Sequence, residues 1–128
     1  ARPGHPFAKR RPSAGAFAAA EHVSVHSLPG FRGLQQSLAQ SGKAIQRTSE
    51  VSSALVGVIA TLNSDALLTL PASLSRLLER QFRLARIAQP VEPATFPVRL
   101  LWHTSYDRDE CHQWLRGEFA LLAQELTL

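Results

Sequence analysis

Hydrophobic positions recur along this chain with two different periods, and their alternation predicts its layout. HVSVHS (22–27) puts Val23 and Val25 on one face, as in a strand. Leu28-Pro29-Gly30 breaks that run. Between Arg32 and Gln40, Leu34 and Leu38 stand four apart on one side of a helix that Ser41-Gly42 ends. Ala44–Ser49 reads as a second, weakly patterned strand. EVSSALVGVIATLN (50–63) then sets Val51, Leu55, Val58, Ile59 and Leu62 at helical spacing. ALLTL (66–70), closed by Pro71, reads as a short buried strand. A helix opened by Pro71 or Ser73 carries Leu74, Leu77, Leu78 and Phe82. Leu84–Ala88 is a further strand candidate, QPVEPATFP (89–97) a linker or crossover, and Val98–Trp102 another strand. The longest helix runs from Arg108 to Leu126, with Cys111, Trp114, Leu115, Phe119, Leu122 and Leu126 on one stripe. Ahead of all these, Ser13 stands as N-cap of an alanine-rich stretch to Ala20.

Strand and helix alternate with short connections, so the expected fold class is α/β, a parallel or mixed sheet with flanking helices. The chain has 128 residues, of which 45% are hydrophobic and 19% charged, enough for one domain with a core. No apolar run approaches the ~20 residues of a membrane span. The single cysteine excludes an internal disulfide and fits a reducing compartment. The net charge of +4 is scattered, with Lys9-Arg10-Arg11 its densest run, and suits a solvated basic face better than a phosphate-binding surface. ARPGHPFAKRRPSAGAFAAA superficially resembles a targeting peptide, but its apolar part is short and prolines interrupt it. The sequence contains no methionine, so the expectation is a piece of a larger protein.

Chemistry concentrates in VRLLWHTSYDRDECHQWLRGEF (98–119), which gathers His103, Cys111 and His112 with Asp107, Asp109 and Glu110. A zinc site would need the two histidines and the cysteine to converge, yet helical residues 111 and 112 point about 100° apart. The carboxylates have a structural use: Asp107 and Glu110 have the spacing of a capping box, and Asp109 suits the positive end of the helix dipole. Cys111 lies on the apolar stripe and reads as a buried core thiol rather than a nucleophile. His22 and His26 would form a ligand pair on a helix, but in a strand they stand roughly 13 Å apart. PGFRG (29–33) lacks the spacing of a phosphate loop, and no G-x-S-x-G elbow occurs. Neither an enzyme nor a metal or other cofactor is indicated.

Three segments carry a resemblance. ARPGHPFAKRRPSAGAFAAAEHVSV is similar to a stretch with an R-x-x-H-P element in LysR-type transcriptional regulators. SALVGVIATLNSDALLTLPASLSRLL resembles that family's helix, small turn, apolar strand ending in Leu-Pro, and helix. FPVRLLWHTSYDRDECHQWLRGEF resembles its closing element, as found in the branch that includes the nodulation regulators. There Trp102-His103, Asp107, Asp109 and Trp114-Leu115-Arg116 match, while Glu110 stands where a small residue or proline is usual. The resemblance spans roughly residues 2–122.

It implies the second lobe of a periplasmic-binding-protein-like type II effector domain over residues 1–90. Residues 91–128 would be the crossover, closing strand and C-terminal helix belonging to the first lobe. The winged helix-turn-helix domain and most of the first lobe would lie outside this sequence. The implied role is effector sensing and oligomerisation in a bacterial, cytoplasmic regulator, which meets DNA only through that other domain. The partners would be a small-molecule inducer in an interlobe cleft and further copies of the chain, with no membrane. The second lobe's face of the cleft would include His26, Ser27 and Leu28 after the first strand. Ser49, Glu50 and Val51 would lie at the start of the next helix, and Asn63 near the return crossover. A stand-alone periplasmic-type solute-binding domain is the alternative.

Overall fold

The computed structural model describes residues 1–92 and 95–126, and it divides into two compact units, Ala1–Phe96 and Pro97–Leu128. The first is α/β. Two short helices, α1 (Pro6–Lys9) and α2 (Ala14–Ala19), lead into strand β1 (Glu21–Val25). Then come α3 (Phe31–Gln40), β2 (Arg47–Val51), α4 (Ala54–Leu62), β3 (Leu67–Leu68) and α5 (Ala72–Phe82). The sheet is parallel with strand order β2-β1-β3 and β1 at its centre.

That order dictates where the helices go. The chain steps from β1 to β2 in one direction and from β2 across β1 to β3 in the other. Right-handed crossovers therefore put α3 and α4 on opposite faces, and the packing follows. On one face Leu34 and Leu38 of α3 join Phe17 of α2 and Leu67 of β3 in the core. On the other, Gly57 of α4 lies so close to the sheet that a Cβ there would meet Leu68 Cδ1 at 2.8 Å. Because β1 is covered on both faces, His22 and Ser24 are buried alongside Val23 and Val25. The alternation in 22–27 located the strand but implied an exposed face that does not exist.

Local chemistry explains the helix starts. Ser13 Oγ accepts from Ala16 N at 3.2 Å, the N-cap read from the sequence, and Ser53 Oγ accepts from Val56 N at 3.3 Å. Pro71 stands at the N-cap of α5. Gly42, at φ 68°, follows the end of α3, where the left-handed region favours glycine.

Several expected elements are corrected. The second strand is Arg47–Val51, not 44–49, so the next helix begins at Ala54 and not at Glu50. With it the buried side of α4 changes: Gly57, Val58 and Thr61 face the sheet, while Leu55 and Ile59 are exposed. In α5 Leu78 is buried but Leu77 is exposed. Leu84–Ala88 is no strand; Ala85 makes one reciprocal pair with Ala1, N–H to carbonyl in both directions at 2.9 and 3.0 Å. Val98–Trp102 is no strand either, because no described strand pairs with it.

The second unit consists of a 3-10 turn (Thr104–Tyr106) and α6 (Glu110–Leu126). Trp114, Leu115, Phe119 and Leu122 of the expected stripe are exposed, Trp114 to 65%. Cys111 is exposed as well, contrary to its reading as a buried thiol. The Leu126 side chain lies outside the described residues. No helix among the described residues is long and apolar enough to cross a membrane.

Candidate functional site

Loops at the carboxyl ends of parallel strands are where open α/β sheets present their backbone to ligands, and the first unit has a cleft of about 900 Å³ there. Its walls come from the end of β1 and the following loop (Ser24 to Pro29), the first turns of α3 (Gly30 to Gly33, Gln35 and Gln36), Thr48 and Glu50 of β2, and Thr95 and Phe96. Parallel pairing sets Ser24 beside Glu50 and Val23 beside Ser49. Alternation therefore turns Ser24, Thr48 and Glu50 to the face that α3 covers, and Val23, Ser49 and Val51 to the face that α4 covers.

The structure accordingly brings together four of the seven expected residues. His26, Ser27, Leu28 and Glu50 line the cleft, and His26 Nδ1 meets Glu50 Oε1 at 2.6 Å on an exposed rim. Ser49 is turned away, its Oγ donating to Glu21 Oε1 at 3.4 Å, and Val51 packs toward Gly57 of α4. Neither lies at a helix start as expected, since both belong to β2. Asn63 is the C-cap of α4 and donates from Nδ2 to Ile59 O at 2.8 Å. A crossover helix runs back against its strands, so that cap stands at the sheet's opposite edge.

Residues the sequence reading missed are Ser24, Arg32, Thr48 and the glycine that opens α3. Gly30, at φ 115°, is the N-cap and offers no side-chain cap. The first intrahelical bond runs from Leu34 N to Gly30 O at 2.9 Å, so the N–H groups of Phe31, Arg32 and Gly33 precede it. The signal was present in PGFRG: a helix start with two glycines, no Ser, Thr, Asp or Asn at the cap, and an arginine in the first turn.

The remaining histidines and carboxylates hold structure. His22 is fully buried, with Nε2 2.8 Å from Phe17 O and Nδ1 without a partner. Burial lowers its pKa, and the Phe17 contact opposes that in part. A second cleft of about 510 Å³ beside α5 contains Glu79 and Arg86 already paired at 2.8 Å. The Arg86 guanidinium foremost, with the Ser75 hydroxyl, holds the Glu79 carboxyl below its usual range.

In the second unit the His/Cys/Asp cluster is a helix-start corner. Asp109, not Asp107, caps α6, accepting from His112 N at 2.7 Å. Asp107 instead accepts the Trp102 indole N–H at 2.7 Å. Arg116 lies over the Trp102 ring at 4.6 Å and donates to the carbonyls of Tyr106 and Asp107 at 3.1 and 3.2 Å. Tyr106 stacks on His112. Among the described residues no three His, Cys, Asp or Glu side chains gather as a metal site.

Comparison with known proteins finds similarity to a set of transcriptional regulators. The chain is 32% identical over 121 residues, 93% of its length, to the HTH-type transcriptional regulator SyrM of Rhizobium meliloti. It is 31% identical over 116 residues (88%) to the regulator LinR of Sphingobium indicum, and 30% over 122 residues (94%) to the activator NagR of a Ralstonia species. The chain is a relative of the LysR-type transcriptional regulators. It spans 37% to 40% of the length of these three, at their C-terminal part, and they are regulators, not enzymes. No protein-family model and no solved structure matches the chain. For this LysR relative the Trp-Leu-Arg helix start, with Trp102, Asp107 and Arg116 locked together, gives the resembling motif a physical role.

Proposed function

We propose that this chain is the effector-sensing and oligomerisation part of a LysR-type transcriptional regulator, acting in the cytoplasm. A small-molecule inducer sits in the cleft beside His26, Ser27, Leu28 and Glu50, and a separate helix-turn-helix segment of the complete regulator contacts DNA. What carries the reading is a cleft of mixed polar and apolar lining at the carboxyl edge of a parallel sheet, in a chain similar to HTH-type regulators. The His26–Glu50 pair at its rim gives a hydrogen-bonding edge, and Leu28 an apolar one. A sensor needs differential affinity for two states of the protein, and loops at a strand edge suit that because they rearrange at little cost to the core.

The test is a promoter reporter driven by the complete regulator that carries this chain, screened against small organic solutes for an inducer. Ser27→Ala and Glu50→Ala should blunt induction by at least about tenfold, the worth of one lost charged hydrogen bond, with operator affinity unchanged. Gln81→Ala, exposed on α5, is the control. Normal induction in both cleft variants would refute this placement.

A further inference from the structure

We propose that His22 makes the cleft responsive to protons: when its buried ring becomes charged, the first turn of α3 lifts with Phe31 and reshapes the wall that Phe31 forms. This deepens the sensing reading above and rests on it for its consequence, a response to the inducer that weakens as the medium acidifies.

The site of the ring leaves no room for a charge. His22 is fully buried in the central strand, between Phe17 of α2 and Phe31 of α3 at centroid distances of 5.0 and 6.1 Å. Its Nε2–H donates to the Phe17 carbonyl at 2.8 Å, and Nδ1 has no partner. A proton on Nδ1 creates a buried donor and a buried cation at once, and both need water or a carboxylate. No neighbouring carboxylate is free to serve. On the adjoining strands the ring lies beside Thr48 and Leu67. Glu50, on the same face of β2, is engaged with His26 at 2.6 Å, and Glu21, on the other face of β1, accepts from Ser49 Oγ. Helix α2 carries no charged residue, and the one charge on α3 is Arg32, a cation. Water must therefore reach the charged ring, so one side of it has to open.

The two sides are held unequally. Phe17 is 3% exposed and belongs to the core cluster, and the Nε2 bond to its carbonyl strengthens when the ring is charged. Phe31 is half-buried and lines the cleft. It is the first residue of α3, whose N-cap, Gly30, supplies no side-chain bond. Helix ends open at less cost than core strands, so the opening begins with the first bond of α3, Leu34 N to Gly30 O at 2.9 Å. Burial keeps the ring's pKa below 6.5, which places the switch on the acid side of that value. By linkage, an inducer that holds Phe31 in place opposes protonation of His22, and protonation weakens the inducer by the same factor.

The experiment titrates the 128-residue chain, labelled with nitrogen-15 and carbon-13, from pH 7.5 to 5 without any ligand. The His22 ring resonances and the amides of Phe31, Arg32 and Gly33 should titrate with one shared midpoint below 6.5. The Leu34 amide, corrected for the intrinsic pH dependence of exchange, should lose protection by up to about tenfold per pH unit, the limit for one linked proton. It should do so before the β1 amides do. His22→Phe should abolish the amide titration and the added exchange, whereas His26→Gln, which removes the imidazole at the rim, should leave both. Separate midpoints in the native chain would overturn the switch whether or not His22→Phe folds. So would a titration that disappears with His26 or survives in His22→Phe, or protection lost in step by Leu34 and the β1 amides. Because no ligand enters, failure here would leave the cleft reading to the reporter, and failure in the reporter would leave the proton-driven opening of α3 intact.

Discussion

Acidification should destabilise the first unit through one side chain, His22. Its ring is fully buried against Phe17 and Phe31, with ring centroids at 5.0 and 6.1 Å. Nε2, 2.8 Å from the Phe17 carbonyl, must carry the hydrogen, which leaves Nδ1 as a bare nitrogen without a partner. Protonating it places a charge in the core, and the one carboxylate on that face of the neighbouring strands, Glu50, is engaged with His26 at the exposed rim. The strand neighbours are Thr48 and Leu67, and α2 and α3 contribute the two phenylalanines. Burial thus holds the folded pKa below the ordinary 6.5. The sign follows: the unfolded chain binds the proton more readily, so this contribution to stability is fully present above 6.5. It is lost as pH falls through 6.5 toward the lower folded value. One proton sets a ceiling of about 1.4 kcal/mol per pH unit on the slope. His22→Phe keeps the ring but removes the titration. It should cost about 1 kcal/mol at pH 7.5 by removing one of the two hydrogen bonds to the Phe17 carbonyl, which keeps the Ala20 N–H, and then lose less between pH 7.5 and 5 than the native chain. The readout must come from the first unit itself, for every Trp and Tyr lies beyond residue 96 and intrinsic fluorescence reports only the second. Urea unfolding followed by hydrogen exchange of the β1 amides serves. Parallel stability–pH curves for native and His22→Phe chains would refute the reasoning.

Leu38→Ala should destabilise the same unit by about 3 kcal/mol, since Leu38 is fully buried in the core under α3; the same exchange measurement checks it. In the second unit Asp109→Ala should reduce the helicity of α6 by removing a cap worth about 1 kcal/mol. Asp107→Ala should leave helicity and shift Trp fluorescence instead, because Asp107 holds the Trp102 indole. Circular dichroism and emission spectra of the two variants separate these outcomes.

Local pattern in the sequence was enough to determine the order of elements from β1 to α5, the α/β class, the Ser13 cap and the Leu34–Leu38 stripe. Those features depend on neighbours within a turn or two along the chain. The WH…D.DE…WLR cluster was also legible as a helix start, because capping is local, though which aspartate caps was not. Asp107 and Asp109 both fit the spacing, and only the Trp102 indole, claiming Asp107, assigned the cap to Asp109. What needed the tertiary structure was anything set by pairing between distant segments. Val51 fits a helical pattern as well as a strand, and pairing with Val25 of β1 drew it into β2. With the strand at 47–51, Ser49 and Val51 turned to the α4 face while Glu50 stayed with His26. Leu84–Ala88 and Val98–Trp102 have strand composition, but a strand exists only where another lies alongside to take its hydrogen bonds. The buried His22 and Ser24 were invisible for the same reason: that β1 is covered on both faces follows from strand order, and strand order is decided by which segments meet across the fold.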